Sequence, residues 1–578
     1  MAAFGITTIT NSFVTKDLGD VPHITSLDSL SIEGLADAIW QAMHTDSHAE
    51  DNLPYPPNYA HHTRRRGSCD ERRLTLQDET AERLTSSNNM GTTSNTKTPS
   101  LTTNALLNSM KTVMSLIFPL ITFPYVSRVL GAANIGKINY SLSIVSYFSL
   151  FAALGISNYA IREGAKIKHD QESLTRFARQ IFTINLISSG IAYAAFLIVV
   201  FAIPSLHSYL VLLFIQSLTI GFTTIGVDWL YSIFEDYFYL SVRTIAVQFA
   251  SLILMFVFVH KPSDYVIYAG ISVFAASAAN AWGFFHARKF CTLRPTRQVN
   301  VHRHMGPIMT LFMNNVAINI YSNAGTTFVG AMMGDVQVGL YSVAMKIYSI
   351  AKQVINSLTV VSLPRLSYLS ANDRKGYVSL LNRLFNTIIV TCLPAAILLY
   401  ALSSPVVLII SGPKYIDAVP MLQIIAIALA LAAPNAFLTS AVLIPLRREK
   451  KVVISTASGA AMNIVLDLIL IPFFGTYAAA ASIVVAELTV AVLSLVFSFD
   501  QISQLRLGAS FVHAGVGCVT ILLCNAVFAH FVQFDNVIVD LLVRGSSYAL
   551  AYGVVLLLFR DESLWFFLRK LQRFIRRR

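Results

Sequence analysis

Charged side chains are scarce in this chain of 578 residues: 13% are Asp, Glu, Lys or Arg, whereas 54% are hydrophobic. A soluble domain usually has about a quarter of its residues charged and about half apolar. The shortage of charge therefore excludes an ordinary soluble protein over most of the length. Lipid is the expected solvent for most of this chain.

Cysteine is sparse as well, and its spacing excludes two kinds of site. The five cysteines lie far apart, with no CxxC pair and no histidine at metal-ligand spacing: Cys69, Cys291, Cys392, Cys518 and Cys524. Neither a disulfide framework nor a zinc centre is indicated. We interpret these residues as small apolar fillers, and we predict no metal and no cofactor.

Catalytic and nucleotide-binding motifs are missing too. There is no HExxH and no GxSxG, and the predicted external loops contain no clustered pair of acids. The segment GAANIGKI fits GxxxxGK at Gly131, Gly136 and Lys137, but Ile138 stands where a Walker A motif has Ser or Thr, so a tight interhelical turn is the better interpretation. The longest predicted external loop, around 403–419, offers one acid, Asp417, which disfavours a membrane enzyme with an external carboxylate.

The first 104 residues form a polar tail without a sustained apolar period. They contain eight Lys and Arg against thirteen Asp and Glu. We expect this tail to be disordered. No signal peptide is found there, so export would rely on the first membrane helix. One hypothesis is that Met90 is the true start, which a peptide detected upstream of Met90 would exclude.

From residue 105 onward, apolar stretches of about twenty residues recur, each long enough at 1.5 Å per residue to cross roughly 30 Å of hydrocarbon. We place fourteen spans between 105–125 and 537–559. The second lies near 138–160, the seventh near 307–331 and the eighth near 337–361. The predicted fold is therefore all-α, a polytopic membrane bundle of about fourteen transmembrane helices.

The distribution of Lys and Arg predicts the orientation. One set of alternate loops, with the C-terminal tail, holds 25 of these residues, whereas the opposite set holds four: Arg128, Lys137, Lys261 and Lys414. Short cytoplasmic loops retain basic residues, so both termini are predicted to be cytoplasmic. The same rule explains the net charge of +12 without nucleic acid, which we do not expect as a partner.

An internal repeat appears when the chain is shifted by 203 residues. Four identities result: Gly131 with Gly334, Gly136 with Gly339, Ser146 with Ser349 and Arg162 with Arg365. The shift spans six helices, an even number, so the two copies have the same orientation, as in transporters with parallel repeats. We predict a tail (1–104), two pseudo-symmetric six-helix lobes (105–288 and 305–500), two extra helices (507–560) and a basic cytoplasmic tail (561–578).

Polar residues inside the spans are the first candidates for function, because charge in a membrane is costly and tends to face a cavity. The charged ones are Asp228, Lys346, Lys352, Asp467 and Glu487, with Arg128 at the external end of the first helix. A central Lys346 can hold an anionic headgroup, whereas Lys352 can also snorkel. Asp467 and Glu487 fit an interhelical bond as well as a transport role. Asn315, Asn319 and Asn323 share one helix face, which either joins helices or lines a cavity.

Three segments carry a family resemblance: FPLITFPYVSRVLGAANIGKINYSLSIVSYFSLFAALGISNYAIREGA, then DWLYSIFEDYFYLSVRTIAVQFASLILMFVFVHKPSDYVIYAGISV, and finally SGPKYIDAVPMLQIIAIAL. Together they resemble Wzx-type flippases of the multidrug/oligosaccharidyl-lipid/polysaccharide exporter superfamily. The resemblance covers about 107–499 and leaves out the tail before Met90.

The resemblance implies a two-lobe bundle in the cytoplasmic (plasma) membrane that moves an undecaprenyl-diphosphate-linked oligosaccharide outward by alternating access, without changing a covalent bond. Implied partners are this lipid, the bilayer, and a polysaccharide polymerase with its chain-length machinery. The resemblance then makes candidates for headgroup binding or gating of Arg128, Arg162 and Arg365, beside Lys346. The alternative for Arg162 and Arg365 is that they only fix the orientation of the helices in the membrane. The competing functions are a cation-coupled multidrug exporter, a peptidoglycan-precursor flippase, and a membrane glycosyltransferase or polymerase.

Overall fold

The protein is described here by a computed structural model over residues 101–360, 362–505, 508–531 and 534–561. Over these ranges the backbone is helical almost throughout and contains no strand. This confirms the predicted all-α class. The polar tail before residue 101, with Met90, and the basic tail after Asp561 lie outside the described residues, so the predictions made for them stay predictions.

The α-helices of the described residues are numbered in chain order, and four short 3₁₀ helices and one π-helix join some of them. The first nine are α1 Leu101–Ala153, α2 Ile156–Ala165, α3 Gln171–Ala202, α4 Leu210–Thr224, α5 Asp228–Ile233, α6 Tyr237–Phe258, α7 Tyr265–His286, α8 Val301–Met333 and α9 Asp335–Val360. The others are α10 Leu363–Asn372, α11 Arg374–Ala401, α12 Ser403–Ser411, α13 Val419–Phe437, α14 Glu449–Phe474, α15 Thr476–Phe497, α16 Phe499–Ile502, α17 Gly508–Phe531 and α18 Val537–Leu558.

Eleven helical segments in the described part of the chain are long and apolar enough to cross a membrane, so the predicted number of fourteen is not confirmed. Two physical reasons account for the difference. The segment Ile117–Ala165 counts once, although α1 breaks at Gly131 (φ 76°, ψ 169°) between the spans predicted at 105–125 and 138–160. Helices α8 and α9 occupy the seventh and eighth predicted positions, but asparagines and lysines make them too polar to be counted.

The helix α13 forms the centre of the second half of the chain. It packs against α9, α11 and α15, and α14 packs against both α15 and α8. Because α13 is mostly apolar and rich in alanine, it can be buried and its neighbours can approach its backbone closely. In the first half, α7 packs against α4 and α6, while α17 and α18 pack together beside α11 and α12. The division into two lobes plus two extra helices stays a prediction.

A buried arginine connects α5, α6 and α7. Arg243 is 2% exposed, and its guanidinium donates to Asp228 and lies 5.4 Å from the centre of the Tyr231 ring. Tyr231 donates its hydroxyl hydrogen bond to the Gly283 carbonyl over 2.5 Å. A Cβ atom on Gly283 would overlap the guanidinium. Because Gly283 has no side chain, the Arg243 guanidinium can occupy the space beside its backbone.

We expect Gly283→Ala to lower the free energy of unfolding by roughly 1 to 3 kcal/mol, because the added methyl group pushes against a buried charge. In a variant that already carries Arg243→Met, Gly283→Ala should lower the free energy of unfolding much less. Thermal unfolding of the detergent-solubilised protein measures both. Gly270→Ala on the same helix is the control, since nothing lies within 4 Å of a Cβ there. Equal effects of Gly283→Ala with and without Arg243 would contradict the assignment.

Candidate functional site

Helix α8 carries a polar stripe next to an apolar one. Asn315, Asn319 and Asn323 recur every four residues, and the Asn323 amide donates to the Asn319 carbonyl over 3.1 Å. The side-chain oxygen of Asn319 is buried without a hydrogen-bond partner among the described residues. On the adjoining face, Val316 and Ile320 line a cavity of about 330 Å³.

This apolar cavity lies between α8, α14 and the second part of α1. Its lining is Tyr147, Leu150, Phe151, Val316, Ile320, Ala324, Thr327, Phe328 and Ile464. Hydroxyl groups close one side of it: Tyr147 and Thr327 are hydrogen-bonded over 3.1 Å, and Thr327 bonds Ser143 over 3.0 Å. Helix α8 thus presents polar amides on one stripe and an apolar groove on the other, about a quarter-turn apart.

A buried carboxylate joins four helices of the second half. Glu487 on α15 is 3% exposed, and its Oε1 atom accepts from Lys352 Nζ over 2.5 Å, from Tyr321 over 2.6 Å and from Tyr348 over 2.8 Å. Its Oε2 atom accepts from the Asn435 amide over 2.5 Å. A carboxylate that accepts this many hydrogen bonds is stable in an apolar environment. Its negative charge balances the positive charge of the Lys352 ammonium.

The three aromatic and amide partners of Glu487 were missed by sequence reasoning. Tyr321 and Tyr348 also face the Lys352 ammonium, with ring centres 5.0 and 5.5 Å from Nζ. Uncharged residues in an apolar run give no signal of their own. Only the distribution of polar residues over α8, α9 and α13, taken together, could have indicated this network.

Lys346 differs from Lys352 although both lie on α9. Its side chain is half-buried, and no acceptor or acidic group lies within bonding distance of its ammonium in the described part of the chain. Since a buried cation is costly without a partner, Lys346 is the α9 lysine that is available to an anion.

Asp467 has the opposite environment from Glu487. It is fully buried on α14, one helical turn from Asn463, and neither its oxygens nor the Asn463 amide have hydrogen-bond partners among the described residues. The neighbouring hydroxyl of Ser482 donates instead to the Ala478 carbonyl. A carboxyl in this position requires a proton or a cation to be stable. Asn463, with its NxxxD spacing to Asp467, was also missed.

Arg128 lies at the end of α12. Its guanidinium donates to the Ile409 carbonyl, and its stem lies beside Gly412, just past the last residue of that helix. Arg128 therefore satisfies one of the carbonyls that a helix end leaves open. In this conformation the residue joins two helices.

Arg162 and Arg365 lie on two short helices, α2 and α10, each ten residues long. Both side chains are exposed. Arg162 contacts Glu163 over 3.2 Å, whereas Arg365 has no acidic partner within the described ranges. The candidates Arg128, Arg162, Lys346 and Arg365 thus belong to four helices, and Asp228 is engaged by Arg243.

Another basic residue, Arg448 before α14, has a structural role. Its two terminal nitrogens donate to both oxygens of Asp500, each over 2.7 Å, and Nη1 also bonds the Phe497 carbonyl. These hydrogen bonds hold the pKa of Asp500 well below its usual value. Part of the predicted cytoplasmic excess of Lys and Arg therefore stabilises helix ends.

Known proteins match this chain in sequence and in fold. Residues 101–370 match the family of polysaccharide biosynthesis proteins. A putative O-antigen transporter of Escherichia coli (strain K12) is 25% identical over 347 residues, which cover 57% of this chain and 80% of the relative.

Two solved structures share the fold. Lipid II flippase MurJ in an inward closed conformation has a TM-score of 0.64 at 15% identity and covers 79% of this chain and 99% of that one. A multidrug resistance MATE family transporter of the MOP superfamily, in an inward-facing conformation, has a TM-score of 0.53 at 13% identity over 69% and 98%. The chain is a multi-pass membrane protein whose residues 101–370 match the polysaccharide biosynthesis protein family, and these matches confirm the resemblance to Wzx-type flippases.

Proposed function

We propose that this protein moves a polyprenyl-diphosphate-linked oligosaccharide from the inner to the outer leaflet of the plasma membrane, by alternating access and without catalysing a reaction. The description of the Escherichia coli relative as a putative O-antigen transporter supports the class of cargo. The fold shared with a lipid II flippase supports a lipid-linked substrate.

The observation that carries this proposal is the unpaired Lys346 on α9. A diphosphate loses its hydration when it enters a membrane, and a fixed cation replaces part of that hydration. Lys352 does not compete for this role, because Glu487 already holds it. Lys346 is therefore the headgroup ligand in our proposal.

The two stripes of α8 suit the other parts of an amphiphilic cargo. The amides of Asn315, Asn319 and Asn323 can exchange hydrogen bonds with sugar hydroxyls, and the orphan oxygen of Asn319 needs such a donor. The apolar groove at Val316 and Ile320 suits a prenyl chain. A cargo with a polar headgroup and an apolar lipid chain would contact both stripes at once.

Arg162 and Arg365 are proposed to collect the diphosphate at the cytoplasmic mouth. Both are exposed on short helices, at positions that the 203-residue shift makes equivalent. Exposed cations raise the local concentration of an anionic substrate without ordering it tightly. Arg128 is engaged at the end of α12, so its role in our scheme is to join helices instead of holding cargo.

A cation-coupled multidrug exporter is the second candidate, and one observation favours it. Asp467 and Glu487 are both deeply buried acids, and Asp467 lacks partners among the described residues. Such a carboxyl can exchange a proton or a metal cation during a transport cycle. Drug-resistance assays in a sensitive host separate the two functions, because only the drug exporter changes the tolerated concentration.

Substituting Lys346 tests the headgroup assignment. We expect Lys346→Met to reduce surface polysaccharide roughly tenfold or more in a host that lacks its own flippase, because a charge-assisted hydrogen bond is worth about 1.5 to 3 kcal/mol. Lys346→Arg should retain most of the activity. Polysaccharide is measured at equal protein levels in the membrane. An amount of surface polysaccharide equal to that of the wild type in the Lys346→Met variant would contradict the proposal.

The pair Lys352 and Glu487 should behave as a structural unit. We expect Lys352→Met alone to lower the free energy of unfolding by about 3 to 5 kcal/mol, because Glu487 then keeps an uncompensated buried charge. The double substitution Lys352→Met with Glu487→Gln should recover much of that loss and should keep transport. Thermal unfolding and the same polysaccharide assay measure the two effects. A stable double variant without transport would instead give the pair a role in moving cargo.

The two cytoplasmic arginines should act additively. We expect Arg162→Ala and Arg365→Ala each to slow export a few-fold, and the double substitution to slow it roughly tenfold, with the largest effect at low ionic strength in a reconstituted assay. Arg176→Ala is the matched control, since Arg176 is an exposed arginine paired with Glu172 on α3. If Arg176→Ala slows export as much, the effect is one of general surface charge.

A further inference from the structure

Two glycine junctions have nearly the same backbone conformation. Gly131, within α1, has φ 76° and ψ 169°, and Gly334, between α8 and α9, has φ 85° and ψ 177°. A residue with a side chain rarely adopts this conformation. The shift of 203 residues places these glycines on each other, so each ends one helix and begins the next in the same way.

Five residues after each junction, a second glycine contacts the opposite junction. A Cβ atom on Gly136 would overlap the carbonyl of Asp335, and a Cβ atom on Gly339 would overlap the carbonyl of Ala132. Asp335 and Ala132 are themselves related by the shift of 203 residues. The two contacts are therefore equivalent: each helix crosses the other repeat, backbone against backbone, at a point where no side chain fits.

Further contacts hold the same end of the bundle together. Tyr209, just before α4, donates to Asp335 over 2.6 Å. Tyr415 donates to the carbonyl of Ser127 over 3.1 Å, and the Ser127 hydroxyl donates to the Ile410 carbonyl over 3.3 Å. These bonds connect residues from the first repeat with residues from the second. They surround the glycine crossing on the side that the count of Lys and Arg assigns to the outside.

We propose that Gly136 and Gly339 form an outer seal, which opens when each glycine separates from the opposite carbonyl while Gly131 and Gly334 act as hinges. A backbone contact of this kind excludes water by close approach and breaks without removing a buried charge. The symmetry means that both halves of the seal open together. The inference concerns the conformational cycle and is independent of the cargo.

The test measures access through the seal. Ser143 is the reporter position, because it is 2% exposed and lies seven residues, about 10 Å, beyond Gly136 along α1. Ser143→Cys is introduced into a chain whose native cysteines have been replaced, and intact cells receive a membrane-impermeant maleimide. We expect slow labelling in this parent, and labelling roughly tenfold faster with Gly136→Ala and with Gly339→Ala, because the added methyl group forces the crossing apart.

Two glycines supply the matched control. Nothing lies within 4 Å of a Cβ atom on Gly190 or Gly221, so Gly190→Ala and Gly221→Ala should label at the parental rate. If the seal variants do not reach the membrane, Tyr209→Phe replaces them; it removes only the hydroxyl bonded to Asp335 and should raise labelling about threefold. Parental labelling rates in every seal variant that reaches the membrane would overturn the proposal. Because labelling needs no glycan, a wrong cargo assignment leaves the result unchanged.

Discussion

The structure depends on one constraint: inside a membrane, each polar group must find a partner within the protein. Glu487 meets it with four donors from three neighbouring helices, and the tie among α8, α9, α13 and α15 follows from that requirement. Arg243 meets it in part: its Nη2 atom donates to Asp228 and two tyrosine rings face the guanidinium, whereas Nε and Nη1 have no hydrogen-bond partner among the described residues. Several polar groups of the described helices do not meet it, and those nearest the candidate site include Lys346, Asn319, Asn463 and Asp467.

The sequence predicts the parts of the fold that depend on local composition. Apolar length and the scarcity of charge indicate a helical membrane bundle, and the glycines at 131 and 334 indicate helix breaks, because few other residues tolerate that conformation. It cannot predict the partners of Glu487, since Tyr321 lies 166 residues away and Asn435 lies 52 residues away. Such pairings depend on how the helices pack. Sequence patterns also do not distinguish Lys346 from Lys352, because a neutralising acid on another helix decides between them.

The two repeats share a backbone arrangement but differ in chemistry. At the same shift of 203 residues, Lys346 corresponds to Ser143, Lys352 to Ser149, Tyr348 to Val145 and Tyr321 to Phe118. At these four positions the second half carries the two lysines and the two tyrosines, whereas the first half has small hydroxyl or apolar side chains. Symmetry is kept where two helices must cross closely, at Gly136 and Gly339. It is lost where a cargo would need a definite orientation.

The balance of charge along α9 also bears on how a cargo could leave. With Lys352 cancelled by Glu487, the region around Lys346 has one uncompensated positive charge. A diphosphate diester carries more negative charge than one lysine neutralises, so binding there would be partial. The transport that we propose would require this balance, because a ligand must bind strongly enough to enter and weakly enough to leave. A second free lysine on the same helix would tighten the bound state and slow release, and pairing Lys352 with a buried acid avoids that outcome while keeping four helices together.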